Sequence, residues 1–374
     1  MNLNEYLSQL ETLVNIDCGS YNPDGIKKVA DYLCKWYEEI NWHIKKHDIL
    51  DQTPVLEISN HKDADYYDAL FIGHMDTVFP DGTVKNRPFR MKDDICYGPG
   101  VNDMKNGVLA MLHIAKNLNE ITNDKLNICM CYNPDEEIGS RYSEEILKQI
   151  GSKAKRIFVM ESSQDGGSGH VFNRKGKVNY TISFHGISGH AGYVYESENA
   201  SAIQEMARFI VEIYKLKDKD KETSINVGIV EGGSAVNTVA EYGRIELESR
   251  FNYKQERDRI VNAINKMVND KPSVDGVKIK IDKFSEALPW KQSEEGLEYI
   301  KHVEKLANDM GMKFYEKKRG GLSDANHLSE VCPIILDGMG PCGSYAHSEK
   351  ECMYISTVEP CINLFEKILD DLVE

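Results

Sequence analysis

Two rhythms of apolar and polar residues divide this chain. In the first, short apolar runs bounded by polar residues, 67–73 (YDALFIG), 126–132 (LNICMCY) and 156–160 (RIFVM), read as buried strands. Between the first two lies GVLAMLHIAKNLNEI, whose apolar residues recur at helical spacing. Strands alternating with helices predict an α/β fold, a mostly parallel sheet flanked by helices. The second rhythm begins near residue 177. KVNYTISFHG alternates like a half-buried strand and ASAIQEMARFIVEIYKL is helical. Strands follow around 224–231 and 242–251, then a helix at 255–269 and a strand at 277–284. That order is α+β and ferredoxin-like. After about residue 290 the first rhythm resumes and runs to LFEKILDDLVE. The pattern predicts one domain, 1–176 and 288–374, interrupted by an inserted domain at 177–287.

A chain of 374 residues, 41% hydrophobic and 28% charged, is globular in composition and long enough for two ordinary domains. Its formal net charge of −15 argues against nucleic acid or an anionic membrane as partner, because both need clustered Lys and Arg. The opening MNLNEYLSQLETLVNID reads as an amphipathic helix and lacks the basic start and apolar core of a secretory signal. No run approaches the ~18 to 20 apolar residues of a membrane span. The nine cysteines are odd in number and form no CxxC pair, and Cys129 and Cys131 sit in a strand-like run. Reduced thiols and a cytoplasmic location are the expectation.

The candidate chemistry lies where the apolar runs end, which is where parallel sheets gather ligands. GHMDTVFP follows the first strand, and His74 and Asp76, two apart in extended chain, point to one side. Asp76 could hold the His74 ring in one tautomer. YGPGVNDMKNG presents Asp103 from a tight glycine-rich turn before a helix; its spacing is not that of a phosphate-binding loop, and a carboxylate there would repel phosphate. NPDEEIGS places Glu136 and Glu137 at a strand-to-helix junction, where acidic residues also serve the helix dipole. Adjacent side chains diverge, so one could ligate metal while the other moves a proton. VMESS adds Glu161, and HSEKE adds His347 after a Gly-rich stretch. Each fragment is weak alone. Together they supply imidazoles and carboxylates suited to zinc, with cobalt or manganese as substitutes.

GHMDTVFP, YGPGVNDMKNG, NPDEEIGS, VMESS and YAHSEKE, in this order, resemble the co-catalytic zinc carboxypeptidase and aminoacylase family, and within it the bacterial glutamate carboxypeptidases. The likeness covers nearly the whole chain. It implies a zinc-exopeptidase type of fold whose inserted domain acts as a lid and dimerisation domain, and a homodimer formed through it. It also implies two zinc ions per subunit: His74 and Glu161 on one, Glu137 and His347 on the other, Asp103 bridging. Asp76 would orient His74, Glu136 would be the general base, and the Asp103–Met104 peptide is a candidate for the cis form. Glu161, where other branches carry Asp, resembles the carboxypeptidase and N-acyl amino acid deacylase branches. His190 in GISGHAG would polarise the scissile carbonyl, often from the partner subunit. Asn237 and Arg250 match positions near the substrate. Arg250 has the fork that holds a carboxylate in two hydrogen bonds, with an ion pair at the core edge as its competing role. In KKRGGLSDAN, Ser323 and the glycines could offer donors to a carboxylate; Arg174 and Lys175 are less specific candidates.

The expected reaction is hydrolysis of a small peptide or N-acyl amino acid by a metal-activated water, releasing a C-terminal residue such as glutamate. A deacylase of the acetylornithine or succinyl-diaminopimelate type is the first alternative, since its chemistry is identical. A metal-free binding protein is a remote one, because all six metal-site residues are present.

Overall fold

The computed structural model describes residues 1–49 and 53–373. It contains two compact units, the first built from Met1–Asn173, Lys291–Arg319 and the chain from Ser323 onward, the second from Arg174–Trp290 with Gly320–Leu322.

The first unit is organised around a six-stranded sheet in the order His43–His47, Val55–Ser59, Ile128–Asn133, Ala69–His74, Ile157–Val159, Ile335–Asp337. Five strands point the same way, and only Val55–Ser59 runs against both its neighbours. Ala69–His74 is buried along its whole length, as a strand covered on both faces must be. Phe71 projects to one face and meets Phe158 and Phe365 with ring centroids 5.2 and 5.0 Å away. Leu70 and Ile72, also buried, project to the other. Helices Leu3–Val14, Asn106–Asn117 and Val358–Asp371 contribute to the core around Phe71.

Local sequence explains where these helices begin and end. Asn2 and Asn22 cap the first two helices by accepting the N–H groups of Glu5 and Gly25, and Pro23 opens the second. The single helical run expected from residue 107 breaks in two. Leu118 turns extended, and Asn119 caps a new helix, Glu120–Lys125, by accepting the N–H of Thr122. A side chain able to satisfy an orphan donor outweighs continued periodicity there.

The second unit has four antiparallel strands in the order Ser224–Gly232, Tyr242–Phe251, Gly176–His185, Lys278–Ala287. In chain order this is 2-3-1-4, the ferredoxin-like arrangement. Val178, Tyr180, Ile182 and Phe184 are buried while their alternate neighbours are half-exposed, and helices Ala202–Tyr214 and Lys254–Asn269 close the apolar face. All nine cysteines are buried and free, Cys129 and Cys131 within strand Ile128–Asn133. Among the described residues no helix is long and apolar enough to cross a membrane.

Candidate active site

Strand order assembles the site. Ala69–His74 lies between Ile128–Asn133 and Ile157–Val159, with His74 paired to Asn133 and Ile72 to Val159. Because the three strands are parallel, their carboxyl ends share one edge, which sets His74 between the Glu136–Glu137 turn and Glu161. Two glycines let the remaining loops close in. A Cβ on Gly107 would stand 2.0 Å from the Met160 carbonyl oxygen, and one on Gly340 would stand 2.3 Å from it. Only glycine at both positions lets the helix after Asp103 and the loop leading to His347 pack against the backbone beside Glu161.

The side chains brought together are His74, Asp103, Glu136, Glu137, Glu161 and His347. Asp103 Oδ1 lies 3.2 Å from His74 Nε2, and Asp103 Oδ2 lies 3.2 Å from His347 Nε2. Glu161 Oε1 stands 3.6 Å from His74 Nε2, and Glu137 Oε2 stands 3.2 Å from His347 Nε2. Glu136 could join His74 and Glu161 around a cation. Among the described residues the Glu136 carboxylate has no side-chain hydrogen bond or ion pair. The Asp103–Met104 peptide is cis, as the resemblance implies.

The donor set fits metal cations. His74 Nδ1 faces only acceptors, the Asp76 carbonyl at 3.0 Å and its carboxylate at 3.3 Å, so a neutral ring is protonated there and Nε2 carries the lone pair. Yet Nε2 faces carboxylate oxygens, which are also acceptors. Burial by itself lowers the His74 pKa, and its carboxylate neighbours override this and raise it far above the ordinary imidazole value. Hydrogen bonds to Asp103 and Glu137 push His347 up to about 11. Burial and then the Asp103 charge push Glu137 up to about 7. Burial, then the charges of Glu161 and Glu137, push Glu136 well above the usual carboxylate range against the lowering effect of His74. Glu137 Oε1 is buried with no hydrogen-bond partner. Protons alone reconcile these groups badly; a divalent cation between the imidazoles and carboxylates removes the conflict.

Supporting residues come from distant segments. Asp76 is fully buried, and besides approaching His74 it accepts the Ser20 hydroxyl at 2.6 Å and the backbone N–H groups of Glu136 and Glu137 at 3.2 Å each. Two carboxylates escaped the sequence analysis. Asp324 accepts from Asn133 Nδ2 and Ser140 Oγ, both at 2.5 Å, and so clamps the two ends of the turn bearing Glu136 and Glu137. Glu351 accepts the N–H groups of Gly100, Asn102 and Asp103 at 2.9 Å and fixes the Asp103 turn. Both lie in segments that drew notice for Ser323 and His347. Neither carries a local signal, since Asp324 follows a Gly-rich loop and Glu351 ends a charged run, HSEKE.

The remaining sequence candidates have definite places. Ser323 is buried and caps helix Asp324–Leu328, and its hydroxyl is committed to Asp337 at 2.6 Å. In the second unit, His190 is exposed, its Nδ1 accepts the Gly192 N–H, and it pairs with Thr238 beside Asn237. The Arg250 guanidinium is held by Glu248 at 2.6 and 3.2 Å, the ion-pair role that competed with substrate binding. Arg174 donates to the Gly321 and Leu322 carbonyls at 3.1 and 2.8 Å. Lys175 lies 3.3 Å from the Glu222 carboxylate.

Comparison with known proteins bears on this geometry. The family model of Peptidase family M20/M25/M40 matches residues 70–371. Carboxypeptidase G2 of Pseudomonas sp. (strain RS-16) is 24% identical over 377 residues, covering 98% of this chain and 89% of that protein. Succinyl-diaminopimelate desuccinylase of Pelagibacter ubique (strain HTCC1062) is 25% identical over 327 residues, covering 80% of this chain and 81% of that protein. A tripeptidase from Staphylococcus aureus has the same fold, with a TM-score of 0.79 at 21% identity over 100% of this chain and 99% of that one.

Proposed function

The chain belongs to peptidase family M20/M25/M40, a family of metal-dependent hydrolases, and on that premise we propose that it is a two-metal carboxypeptidase releasing a C-terminal residue such as glutamate. The observation that carries the reading is Asp103, whose two oxygens face different imidazoles, each with its own glutamate nearby. His74 and Glu161 would hold one cation, Glu137 and His347 the other, and Asp103 would bridge them; zinc suits this donor set, with cobalt or manganese as substitutes. A bound pair of divalent cations supplies an acidified water and offsets negative charge on the scissile carbonyl oxygen.

The protein's own residues do the rest. Glu136 takes the proton from the attacking water and delivers it to the leaving nitrogen. Its raised pKa and its freedom from other hydrogen bonds suit a group that must accept a proton and give it up. Asp76 keeps the His74 ring in its tautomer and the two glutamates in place. His190 and Asn237, adjacent and exposed, are assigned to the scissile carbonyl, and Arg250 to a substrate carboxylate for which Glu248 holds the place. Ser323 enters as the cap that supports the Asp324 helix.

The likeness to a desuccinylase favours a second reading, an N-acyl amino acid deacylase working by the same chemistry. Turnover of peptides ending in Glu, measured beside acetylated and succinylated amino acids on zinc-loaded protein, separates the two. Cleavage of neither class would end both.

Homodimerisation through the inserted domain, which would also act as a lid, is part of the proposal. Edge strand Ser224–Gly232 and the adjoining helix Ala202–Tyr214 expose Ile229, Val230 and Val211, apolar side chains that a partner edge would cover. A cytoplasmic location accords with nine buried free thiols. Light scattering that gives a monomer at micromolar concentration would remove the dimer.

A further inference from the structure

Beside the cluster of imidazoles and carboxylates lies a cavity of about 410 Å³, lined among others by Asn102, Gln164, Arg319, Ser344 and Tyr354. It adjoins the site on three sides. Asn102 precedes Asp103, Ala346 of its rim precedes His347, and Arg319 Nη1 stands 3.8 Å from Glu161 Oε2.

Two side chains in it are underused. Arg319 is largely buried, with 23% of its side chain exposed, and among the described residues its five donors make no hydrogen bond; the long approach to Glu161 is its sole ion pair. A guanidinium in that state has given up much of its water without the partner its fork is shaped for. Asn102 is 2% exposed, lines the same cavity, and its Oδ1 has no partner. The other charged group of the rim is already matched, since Asp165 accepts from Lys317 at 2.8 Å and from the Tyr315 hydroxyl at 2.9 Å. The Ser344 and Tyr354 hydroxyls bond each other at 2.9 Å. The cavity therefore offers one uncommitted positive charge next to the reacting centre, in a volume that accepts a side chain of glutamate size, while the unpartnered Asn102 oxygen is an acceptor that calls for a donor.

We infer that this cavity is a substrate subsite for a carboxylate, with Arg319 as its counter-charge. The inference rests on the metal-centred hydrolysis proposed above: once Glu161 is committed to a cation, Arg319 loses its distant partner and a substrate carboxylate replaces it. Arg319 is then a specificity-determining residue, one that discriminates by charge near the scissile amide and takes no part in bond cleavage. The carboxylate could be the α-carboxylate of the released residue, its side-chain carboxylate, or one carried by the acyl group.

The test is steady-state kinetics of zinc-loaded wild type, Arg319→Met and Arg319→Lys, with metal content measured on each. The substrates are a peptide ending in Glu, the same peptide ending in Gln, the C-terminally amidated Glu peptide, and a succinylated and an acetylated amino acid. Loss of a partly desolvated charge pair should lower kcat/KM by about 10- to 100-fold. The expected result is a loss of that size in Arg319→Met, carried in KM, only for substrates bearing the carboxylate that Arg319 holds. The matching neutral analogue should change less than about 3-fold, and Arg319→Lys should fall between. The Glu–Gln pair identifies a side-chain carboxylate, the amide an α-carboxylate, and the succinyl–acetyl pair an acyl one. Equal losses on charged and neutral members of every pair, or no loss with full metal, overturn the subsite while hydrolysis itself stands. Should Arg319→Met fail to fold or to hold zinc, Arg319→Lys carries the same comparison. Binding of glutarate to zinc-loaded Glu136→Gln by calorimetry, with and without Arg319→Lys, reads the subsite even if none of these substrates is cleaved. Equal affinity in both proteins counts against it.

Discussion

Asp76 accepts the backbone N–H of Glu136 at 3.2 Å across 60 residues of chain. A carboxylate expected to orient a histidine thus also holds the turn that presents the base, and its other oxygen does the same for Glu137. In Asp76→Asn one of the two oxygens becomes an amide NH2 facing a backbone donor. Turnover and zinc affinity should both fall, each by about 10- to 100-fold. Zinc titration and kcat measured on one preparation check this, and wild-type values for both would disprove the coupling.

Glu136→Gln keeps the shape of the turn and removes the proton acceptor. Zinc content should remain normal while kcat falls by about 10² to 10⁴. Metal analysis beside single-turnover kinetics decides the assignment; near-normal turnover would leave the base elsewhere.

His190→Ala should reduce turnover and leave metal content intact, because His190 lies in the second unit and the metal-site residues all lie in the first. Activity equal to wild type would strike His190 from the mechanism.

Chelation should cost stability as well as activity. Burial and neighbouring carboxylates raise the pKa values of Glu136 and Glu137, the latter to about 7, so the metal-free fold retains unfavourable charge. Zinc at about 100 times its Kd should stabilise the fold by about 2.7 kcal/mol. Thermal denaturation with chelator, and again after zinc is restored, measures the difference. A Tm indifferent to zinc would argue against metal at this site.

Away from the site, Glu57 makes a separate pH prediction. Burial pushes its carboxyl up, but hydrogen bonds from Tyr67, His47 and Lys45 and the charge of Lys153 prevail and hold it at about 2. A carboxylate depressed in the folded state stabilises fully above its unfolded pKa of about 4.3, and that contribution disappears as pH falls towards 2. Glu57→Gln should destabilise by about 1 to 2 kcal/mol at pH 7, allowing for solvent screening. The gap between variant and wild type should close between pH 4.5 and 2.5 in urea melts. A gap independent of pH would assign the loss to packing.

The sequence carried much of this protein in local form. Strand and helix periods marked both units, since apolar spacing follows directly from which face is buried. The six metal-site candidates stood out because His and acidic residues at the ends of apolar runs have few local reasons to be there. What local chemistry could not express was mutual position. Asp324 clamps Asn133 from 191 residues away and Glu351 holds Asp103 from 248, and neither carboxylate has a neighbour in sequence that betrays its task. Arg319, in a run of basic residues, has nothing in its local sequence that sets it apart, and only folding leaves its fork in a cavity beside Glu161. Ser323 erred in the other direction: a hydroxyl in a Gly-rich loop suggested a ligand donor, and burial made it a helix cap. Periodicity is a property of neighbouring residues and survives in the linear chain. Burial and partnership depend on contacts between segments far apart, and only the closed fold decides them.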